Sequence, residues 1–385
     1  MSNSGSNTHN KTYDVGILGG GLAGLSLAIQ LAKKNHSVIL FEKETYPFHK
    51  VCGEYISMES WDFIESLGVD LEKLNISHIS QLQISAPNGK LLQHSLPLGG
   101  FGISRHLLDN TLVQIARSNG VIVKENTKIT DIIFANDQFT INDGRNIYTV
   151  TMACGSFGKR SNLDVRWKRP FTIASKNDRN NYVGIKYHVT TDLPIDTISL
   201  HNFQNGYCGI SKIEGDRYCL CYLTTADNLK KSNGNIKAME QNILSQNPHL
   251  KNIFSTVTMR YDSPLTISQI SFAKKSQVDN HILMIGDAAG MIAPLCGNGM
   301  SMALHGSKLA SQQVSTYLEG RISRQEMEQQ YIQQWHYHFN TRLKIGRVIQ
   351  HLFGNKIVTN IFIAILRPFP RLVNYLIRQT HGRSF

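Results

Sequence analysis

The chain has 385 residues, 41% of them hydrophobic, and carries 40 Lys and Arg against 28 Asp and Glu, for a net charge of +12. This length is sufficient for a large core and favours two domains, so stabilisation by disulfides or a structural metal is unnecessary. The positive charge favours anionic partners, but the sequence has neither a zinc-ligand spacing nor an RNA-binding signature. We therefore expect no nucleic-acid partner and no metal site.

The cysteine spacing and the hydrophobic runs indicate the cellular compartment of the protein. Six cysteines include no CxxC pair, and the first ten residues contain no apolar signal core. Both features are typical of a reducing cytoplasm. The longest apolar run near the C-terminus covers residues 361–366, far fewer than the roughly 20 residues that a membrane span needs. We expect a cytoplasmic protein.

The first half of the chain opens with a strand, a helix and a second strand. Residues 1–11 are polar and predict a disordered lead-in. Residues 13–18 form a short apolar run, 22–35 have apolar positions at helical spacing, and 37–41 are again apolar. This is the size of a βαβ unit with a crossover helix. We predict a loop for residues 46–57.

The middle of the chain has a different pattern. Residues 180–275 contain strands with alternating polarity, which predict a mostly antiparallel sheet. A buried strand at 281–285 and a helix at 299–318 then resume the first pattern. The predicted fold class is α/β: a Rossmann-type dinucleotide-binding domain, an inserted antiparallel substrate domain and a helical C-terminal region. The expected divisions are 12–80, 104–165 and 276–320 for the dinucleotide-binding domain, 81–103 and 166–275 for the substrate domain, and 321–385 for the C-terminal region.

A glycine-rich turn follows the first strand. In this turn Gly19 permits a tight bend, Gly21 lets the backbone approach a pyrophosphate, and Gly24 lets the helix pack closely on the strand. The helix that begins at Leu22 and Ala23 directs its N-terminal amides at the same place. Glu42, at the end of the next strand, can accept hydrogen bonds from both hydroxyls of an adenosine ribose. These features predict a tightly bound FAD or NAD.

A second motif favours FAD over NAD as the bound dinucleotide. Gly286 and Asp287 end the strand at 281–285, some 260 residues after the first motif. An aspartate at this position can bind a ribityl hydroxyl, and a helix N-terminus beyond it can stabilise negative charge on a reduced flavin. The remaining predicted contacts with the isoalloxazine ring lie in the following segment: Pro294, Cys296, Gly297, Asn298, Gly299 and Met300.

The paired motifs resemble those of the p-hydroxybenzoate hydroxylase and geranylgeranyl reductase superfamily of flavoproteins, over about residues 12–320. The resemblance implies further FAD contacts. The segment with Lys43, Lys50, Cys52 and Gly53 is similar to the loop that reaches the flavin in the geranylgeranyl reductase branch. Arg105 resembles the arginine that contacts the FAD pyrophosphate, although a surface arginine is the alternative. Gly155 resembles a strand-end turn near the adenine.

The resemblance implies a reaction of one of two kinds. The leading prediction is a monooxygenase that takes electrons from transiently bound NAD(P)H and hydroxylates a hydrophobic or aromatic small molecule through a flavin C4a-hydroperoxide. The alternative is a reductase of prenyl double bonds, favoured by Cys52 and Gly53. No general acid or base can be assigned. Cys52, Gly53, Tyr207, Pro294 and Cys296 are candidates only for proximity to the flavin.

The substrate sheet and the C-terminal region carry two further expectations. Alternation predicts that Tyr207 and Gly209 share one face of a strand while Cys208 and Ile210 share the other. Residues 342–378 combine basic and apolar side chains, a pattern compatible with an anionic membrane surface or with packing on the protein's own domain. A third hypothesis is therefore a non-catalytic flavin-binding protein that docks on membranes.

Overall fold

Interleaved segments of the chain build two β-sheets and the helices that pack on them. The computed structural model describes residues 11–177, 181–292, 297–380 and 382–385. The predicted disordered lead-in, except Lys11, and the candidates Pro294 and Cys296 lie outside the described residues.

In chain order the strands are β1 (Lys11–Leu18), β2 (Val38–Phe41), β3 (Tyr55–Ser57), β4 (His78–Ser85), β5 (Leu91–Gly102), β6 (Ile122–Lys124), β7 (Asp131–Ala135), β8 (Gln138–Asn142), β9 (Ile147–Gly155), β10 (Tyr182–Thr190), β11 (Thr197–Phe203), β12 (Gly206–Lys212), β13 (Tyr218–Thr225), β14 (Thr258–Met259), β15 (Leu265–Ile270), β16 (Val278–Asp279) and β17 (Ile282–Met284). The helices are α1 (Leu22–Ala32), α2 (Trp61–Leu67), α3 (Arg105–Ser118), α4 (Asn162–Arg166), α5 (Pro170–Asn177), α6 (Ala226–Lys231), α7 (Ile236–Asn242), α8 (Pro248–Thr256), α9 (Gly299–Leu318), α10 (Arg324–Leu352), α11 (Lys356–Leu366) and α12 (Pro370–Thr380).

The first sheet has the strand order β16-β17-β9-β1-β2-β6, and β7 and β8 extend it as an antiparallel pair next to β9. Strands β1 and β2 are parallel and joined by α1, so the predicted βαβ unit is confirmed. Most of α1 is buried because it packs against α3 and α9 as well as against the strands. This explains its nearly uniform apolar sequence.

The second sheet has the order β14-β10-β13-β12-β11-β4-β5-β3, with β15 beside β10. All its pairs are antiparallel except β11 with β4, which agrees with the predicted mostly antiparallel sheet. The sheet begins earlier in the chain than expected, because β3 pairs with β5. We predicted a loop there; a strand of three residues is too short to show alternating polarity.

Helices cover both faces of the second sheet. Side chains of α7 and α8 share a buried apolar cluster with β10, β12 and β13. On the other face, the end of α10 together with α11 and α12 shares a cluster with β4, β5 and β12. Within the described residues, no helix combines the length and hydrophobicity that a transmembrane segment requires.

The chain returns to the first sheet after the second sheet is complete. Leu283 and Met284 of β17 pair in parallel with Cys154 and Gly155 of β9. The buried Arg169 joins the segment that leaves the first sheet after β9 to the segment that leads back to it before β17. Its guanidinium donates hydrogen bonds to Asp164 at 2.8 Å and to the Ser276 carbonyl at 2.9 Å. One side chain therefore links the start of the insertion to its end.

Arg169→Met should lower the free energy of unfolding by about 3–5 kcal/mol, because it leaves the buried Asp164 carboxylate without its cation. Arg166→Met is the matched control three residues away. Arg166 is exposed and pairs with Asp131, so its loss should cost less than about 1 kcal/mol. Urea denaturation of both variants measures the difference, and equal losses would contradict the linking role.

Candidate functional site

The first glycine turn has the geometry that its sequence predicted. Gly19 has a φ of +110°, and a Cβ there would lie 2.6 Å from the Ser156 carbonyl oxygen. A Cβ on Gly24 would lie 2.1 Å from the carbonyl oxygen of Gly19. A Cβ on Gly21 would meet only the ends of two cationic side chains, more than 3.5 Å away. The first two glycines are required for close packing, whereas a Cβ on Gly21 would be in ordinary van der Waals contact with these two cations.

Glu42 lies at the end of β2 and is buried. Its carboxylate accepts hydrogen bonds from the Gly20 amide at 2.9 Å and from the Glu44 amide at 3.2 Å. The acid is thus fixed against the glycine turn, where a ribose would bind. Lys43 lies elsewhere: it is exposed and forms an ion pair with Glu44, so the structure does not bring it to the glycine turn.

Two cations meet in front of Gly21. The Lys50 ammonium and the Arg105 guanidinium lie 3.6 Å and 3.7 Å from the position of a Cβ on this glycine. Both bind Asp109, Arg105 at 2.8 Å through two nitrogens and Lys50 at 3.1 Å. Burial alone would raise the pKa of Asp109, but the two cations outweigh it and the net shift is downward.

Two positive charges against one negative charge leave a net positive charge at the N-terminus of α1. Helix N-termini attract anions through their free amides and the helix dipole. The Gly21 turn, Lys50 and Arg105 therefore form a site with the positive charge that a pyrophosphate needs. The structure brings Arg105 to the glycine turn, as the resemblance implied.

The second motif directly contacts the first. Gly286 has a φ of +61°, and a Cβ there would lie 3.1 Å from the Cβ of Ala23. Asp287 follows, and burial raises the pKa of its carboxyl. This carboxyl has no hydrogen bond or ion pair with any described residue, while the Asp287 carbonyl accepts a hydrogen bond from Lys275 at 2.7 Å. The backbone is fixed and the side chain remains available to a ligand.

Residues 297–300 continue the second motif on the same side of the site. Gly297 has a φ of +67°, and a Cβ there would lie 3.0 Å from the ring of Tyr55. Helix α9 begins at Gly299, with Asn298 at its N-cap and Met300 buried in its first turn. Gly155 sits at the end of β9, where a Cβ would lie 2.7 Å from Phe157. It is packed between strand ends rather than open to a ligand.

The loop from Lys50 to Glu54 connects the two sheets. Cys52 is half-buried, burial raises the pKa of its thiol, and its carbonyl accepts a hydrogen bond from the Cys219 thiol at 3.3 Å. A Cβ on Gly53 would meet no atom within 4 Å. The loop therefore presents a protonated thiol and an open glycine.

Glu54 anchors this loop, a role that sequence reasoning missed. Its buried carboxylate accepts hydrogen bonds from Lys186, from His188 at 2.6 Å and from the Arg105 amide at 2.8 Å. Burial alone would raise the pKa of Glu54, but Lys186 and His188 reverse this and lower it. Lys186 and His188 are two residues apart on β10 and share one face, a signal that was present in the sequence.

The same cluster includes Cys219, and the donor atoms of Glu54, His188 and Cys219 lie within 4.8 Å of one another. Such a spacing could hold a metal ion. However, the Lys186 ammonium already neutralises the carboxylate, and burial raises the pKa of the Cys219 thiol well above its ordinary value. This chemistry fits a charge-compensated anchor rather than a metal centre.

The predicted alternation of β12 is confirmed. Tyr207 belongs to the apolar cluster that also contains Tyr55 and Phe353, which we call the inner cluster. Cys208 and Ile210 lie on the opposite face with the outer helices. The edge of the Tyr55 ring lies against Gly297, whereas its buried hydroxyl lies 2.5 Å from the position of a Cβ on Gly100 and has no hydrogen-bond partner among the described residues. The hydroxyl is therefore a buried polar group that no described residue satisfies.

Comparisons with known proteins identify the fold. Residues 17–51 match the model of the NAD(P)-binding Rossmann-like domain, and residues 210–364 match the model of squalene epoxidase. A curated relative, conditioned medium factor receptor 1 of Dictyostelium discoideum, is 26% identical over 335 residues, covering 78% of this chain. The chain spans 62% of that relative's length.

Two solved structures cover nearly all of the chain. The flavin-dependent brominase Bmp2 has a TM-score of 0.77 at 19% identity, over 97% of this chain and 94% of its own. A geranylgeranyl bacteriochlorophyll reductase-like protein from Thermoplasma acidophilum has a TM-score of 0.72 at 18% identity, with the same coverage. The chain therefore shares its fold with these two proteins, and its two converging glycine motifs agree with the Rossmann-type α/β fold that the sequence predicted.

Proposed function

We propose that the protein is a monooxygenase that uses FAD and NAD(P)H to transfer one oxygen atom from O₂ to an apolar substrate. The second oxygen atom leaves as water, with two electrons supplied by the nicotinamide. The observation that carries this proposal is the inner cluster, whose Tyr55 ring packs against Gly297 of the second motif's segment. The match to the squalene epoxidase model supports it, because residues 210–364 include β13 and most of α11, which contribute Leu223 and Ile363 to this cluster.

Some side chains of the protein would bind FAD, and others would exclude water from the site. Lys50 and Arg105 would hold the pyrophosphate, Glu42 the ribose, and Asp287 a ribityl hydroxyl. When bound, the flavin supplies the redox chemistry. In this proposal the apolar side chains of the inner cluster would exclude water from the reacting atoms, and the Tyr55 hydroxyl would orient a polar atom of the substrate.

NAD(P)H would bind only transiently. The sequence contains one glycine motif of the nucleotide-binding type, and we assign this motif to FAD. A separate nicotinamide domain of the kind found in disulfide reductases would need a second such motif. We therefore expect the nicotinamide to bind without a dedicated domain and to dissociate once it has supplied its electrons.

The second candidate function is reduction of an isolated prenyl double bond. It is favoured by Cys52 and Gly53, which resemble the flavin loop of the geranylgeranyl reductase branch. The sheet segment at residues 205–210 departs from the Trp-x-Phe-Pro element of that branch. This departure makes monooxygenation the leading proposal.

Isotope labelling separates the two reactions. The purified holoenzyme is supplied with NADPH or NADH and ¹⁸O₂, with squalene and geranylgeraniol as probes, and products are analysed by mass spectrometry. Monooxygenation adds one ¹⁸O atom to the product. Addition of two hydrogens without oxygen would instead establish the reductase and overturn our proposal.

Asp287→Ala and Gly21→Leu should each yield protein with less than about one tenth of the wild-type FAD content. The first removes the proposed ribityl contact, and the second fills the space in front of Lys50 and Arg105. FAD is measured by absorbance after release, and thermal unfolding verifies the fold. The exposed Asp192→Ala is the control; stoichiometric FAD in both test variants would show that the cofactor site is misplaced.

Tyr55→Phe should raise stability while lowering activity. The buried hydroxyl has no partner among the described residues, so its removal should stabilise the fold by about 1 kcal/mol. If the hydroxyl orients the substrate, kcat/KM should fall about tenfold with FAD content unchanged. Denaturant unfolding and steady-state kinetics measure the two effects, and unchanged kinetics would contradict the orienting role.

A further inference from the structure

Helices α11 and α12 expose large apolar side chains at closely spaced positions. The exposed fractions are 70% for Ile357, 55% for Ile361, 53% for Ile365, 56% for Phe369 and 58% for Tyr375. Single exposed hydrophobic residues are ordinary, but a continuous series along two consecutive helices indicates an interaction surface.

The spacing places three of these residues on one side of α11. Ile357, Ile361 and Ile365 are four residues apart and therefore share a face of this helix, and Phe369 lies between α11 and α12. The opposite face of α11, with Ile363 and Leu366, is buried in the inner cluster. Helix α11 is thus apolar on the side that packs against the protein and on the side that faces outward, unlike an ordinary surface helix.

The charge of this region is entirely positive. No Asp or Glu occurs after Glu328, whereas Lys and Arg occur at Arg342, Lys344, Arg347, Lys356, Arg367, Arg371, Arg378 and Arg383. Lys356, Arg367, Arg371 and Arg378 are exposed, and none of the four forms an ion pair with a described residue. Arg342, by contrast, pairs with Glu59. The outer face therefore combines apolar side chains with uncompensated cations.

We propose that the outer faces of α11 and α12 dock on the surface of an anionic lipid bilayer. The apolar side chains would enter the boundary between headgroups and acyl chains, and the cations would contact lipid phosphates. A second copy of the chain is a poorer partner, because face-to-face association would bring the same positive charges together. This docking does not depend on which reaction the flavin site performs.

If the proposed function holds, the same surface also defines the source of the substrate. The buried faces of α11 and α12 contribute Ile363, Leu366 and Val373 to the inner cluster. A helix is about 10 Å across, so the cluster and the bilayer would be separated by one layer of helix. The substrate would then be an apolar molecule dissolved in the membrane.

The docking is tested by co-sedimentation of the full-length holoenzyme with vesicles. One set contains phosphatidylcholine and phosphatidylglycerol at 7:3, and the other contains phosphatidylcholine alone. We expect strong binding only to the anionic set, weakened by NaCl. Equal binding to both sets, or none to the anionic set, would overturn the proposal.

Two pairs of variants assign the binding to this surface. Arg367→Gln with Arg371→Gln should lower the partition coefficient about 30-fold, against less than about twofold for the control Lys230→Gln with Lys231→Gln. Ile361→Asn with Phe369→Asn should lower it about tenfold or more, whereas Ile133→Asn with Ile195→Asn, which are equally exposed elsewhere, should not.

Sedimentation velocity of the protein without vesicles tests whether this face is instead a contact between copies of the chain. We expect a monomer–oligomer distribution that Ile361→Asn with Phe369→Asn leaves unchanged. A concentration-dependent oligomer that this variant abolishes would identify the face as a contact between copies of the chain and would overturn membrane docking. Activity on water-soluble substrate analogues is measured separately, so failure of docking and failure of the proposed reaction remain distinguishable.

Discussion

The site depends on the contact between Ala23 and Gly286, which joins segments separated by most of the chain. Ala23 stands in the first turn of α1, and Gly286 follows β17. The contact exists because β17 pairs with β9, next to β1, which places the two glycine turns at the same sheet edge. Carboxyl ends of parallel strands are where α/β sheets bind ligands. Without this pairing, Asp287 would lie on an unrelated surface.

Buried charges hold the parts of the site in position, and nearly all of them are compensated. Asp109 is matched by Lys50 and Arg105, and Glu54 by Lys186. Because both carboxyl pKa values are lowered, the stability from these pairs is complete above the ordinary carboxyl pKa. It is lost as the pH falls through the lower folded values. Asp287 differs, since its pKa is raised and its side chain is left for a ligand.

The sequence predicted the features that rest on local geometry. A positive φ at Gly19, close packing at Gly24 and the alternation of Tyr207 with Cys208 each follow from short-range rules. It did not predict contacts that depend on long-range packing. Arg169 and Glu54 bind partners more than 100 residues away, and nothing near either residue reveals those partners. Lys43 was expected at the cofactor, but one position beyond Glu42 its side chain turns to solvent. The reaction itself is harder still to infer, because the fold supports several chemistries around one flavin.

The interleaving of the two sheets has a consequence for biosynthesis. Strand β17 is translated after the whole of the second sheet, so a nascent chain on the ribosome cannot complete the first sheet until residue 284 has emerged. Until then the end of β9 at Cys154 and Gly155 presents an unpaired edge, and open strand edges invite aggregation. Early folding of the inserted sheet would shorten this exposure by bringing the two ends of the insertion together.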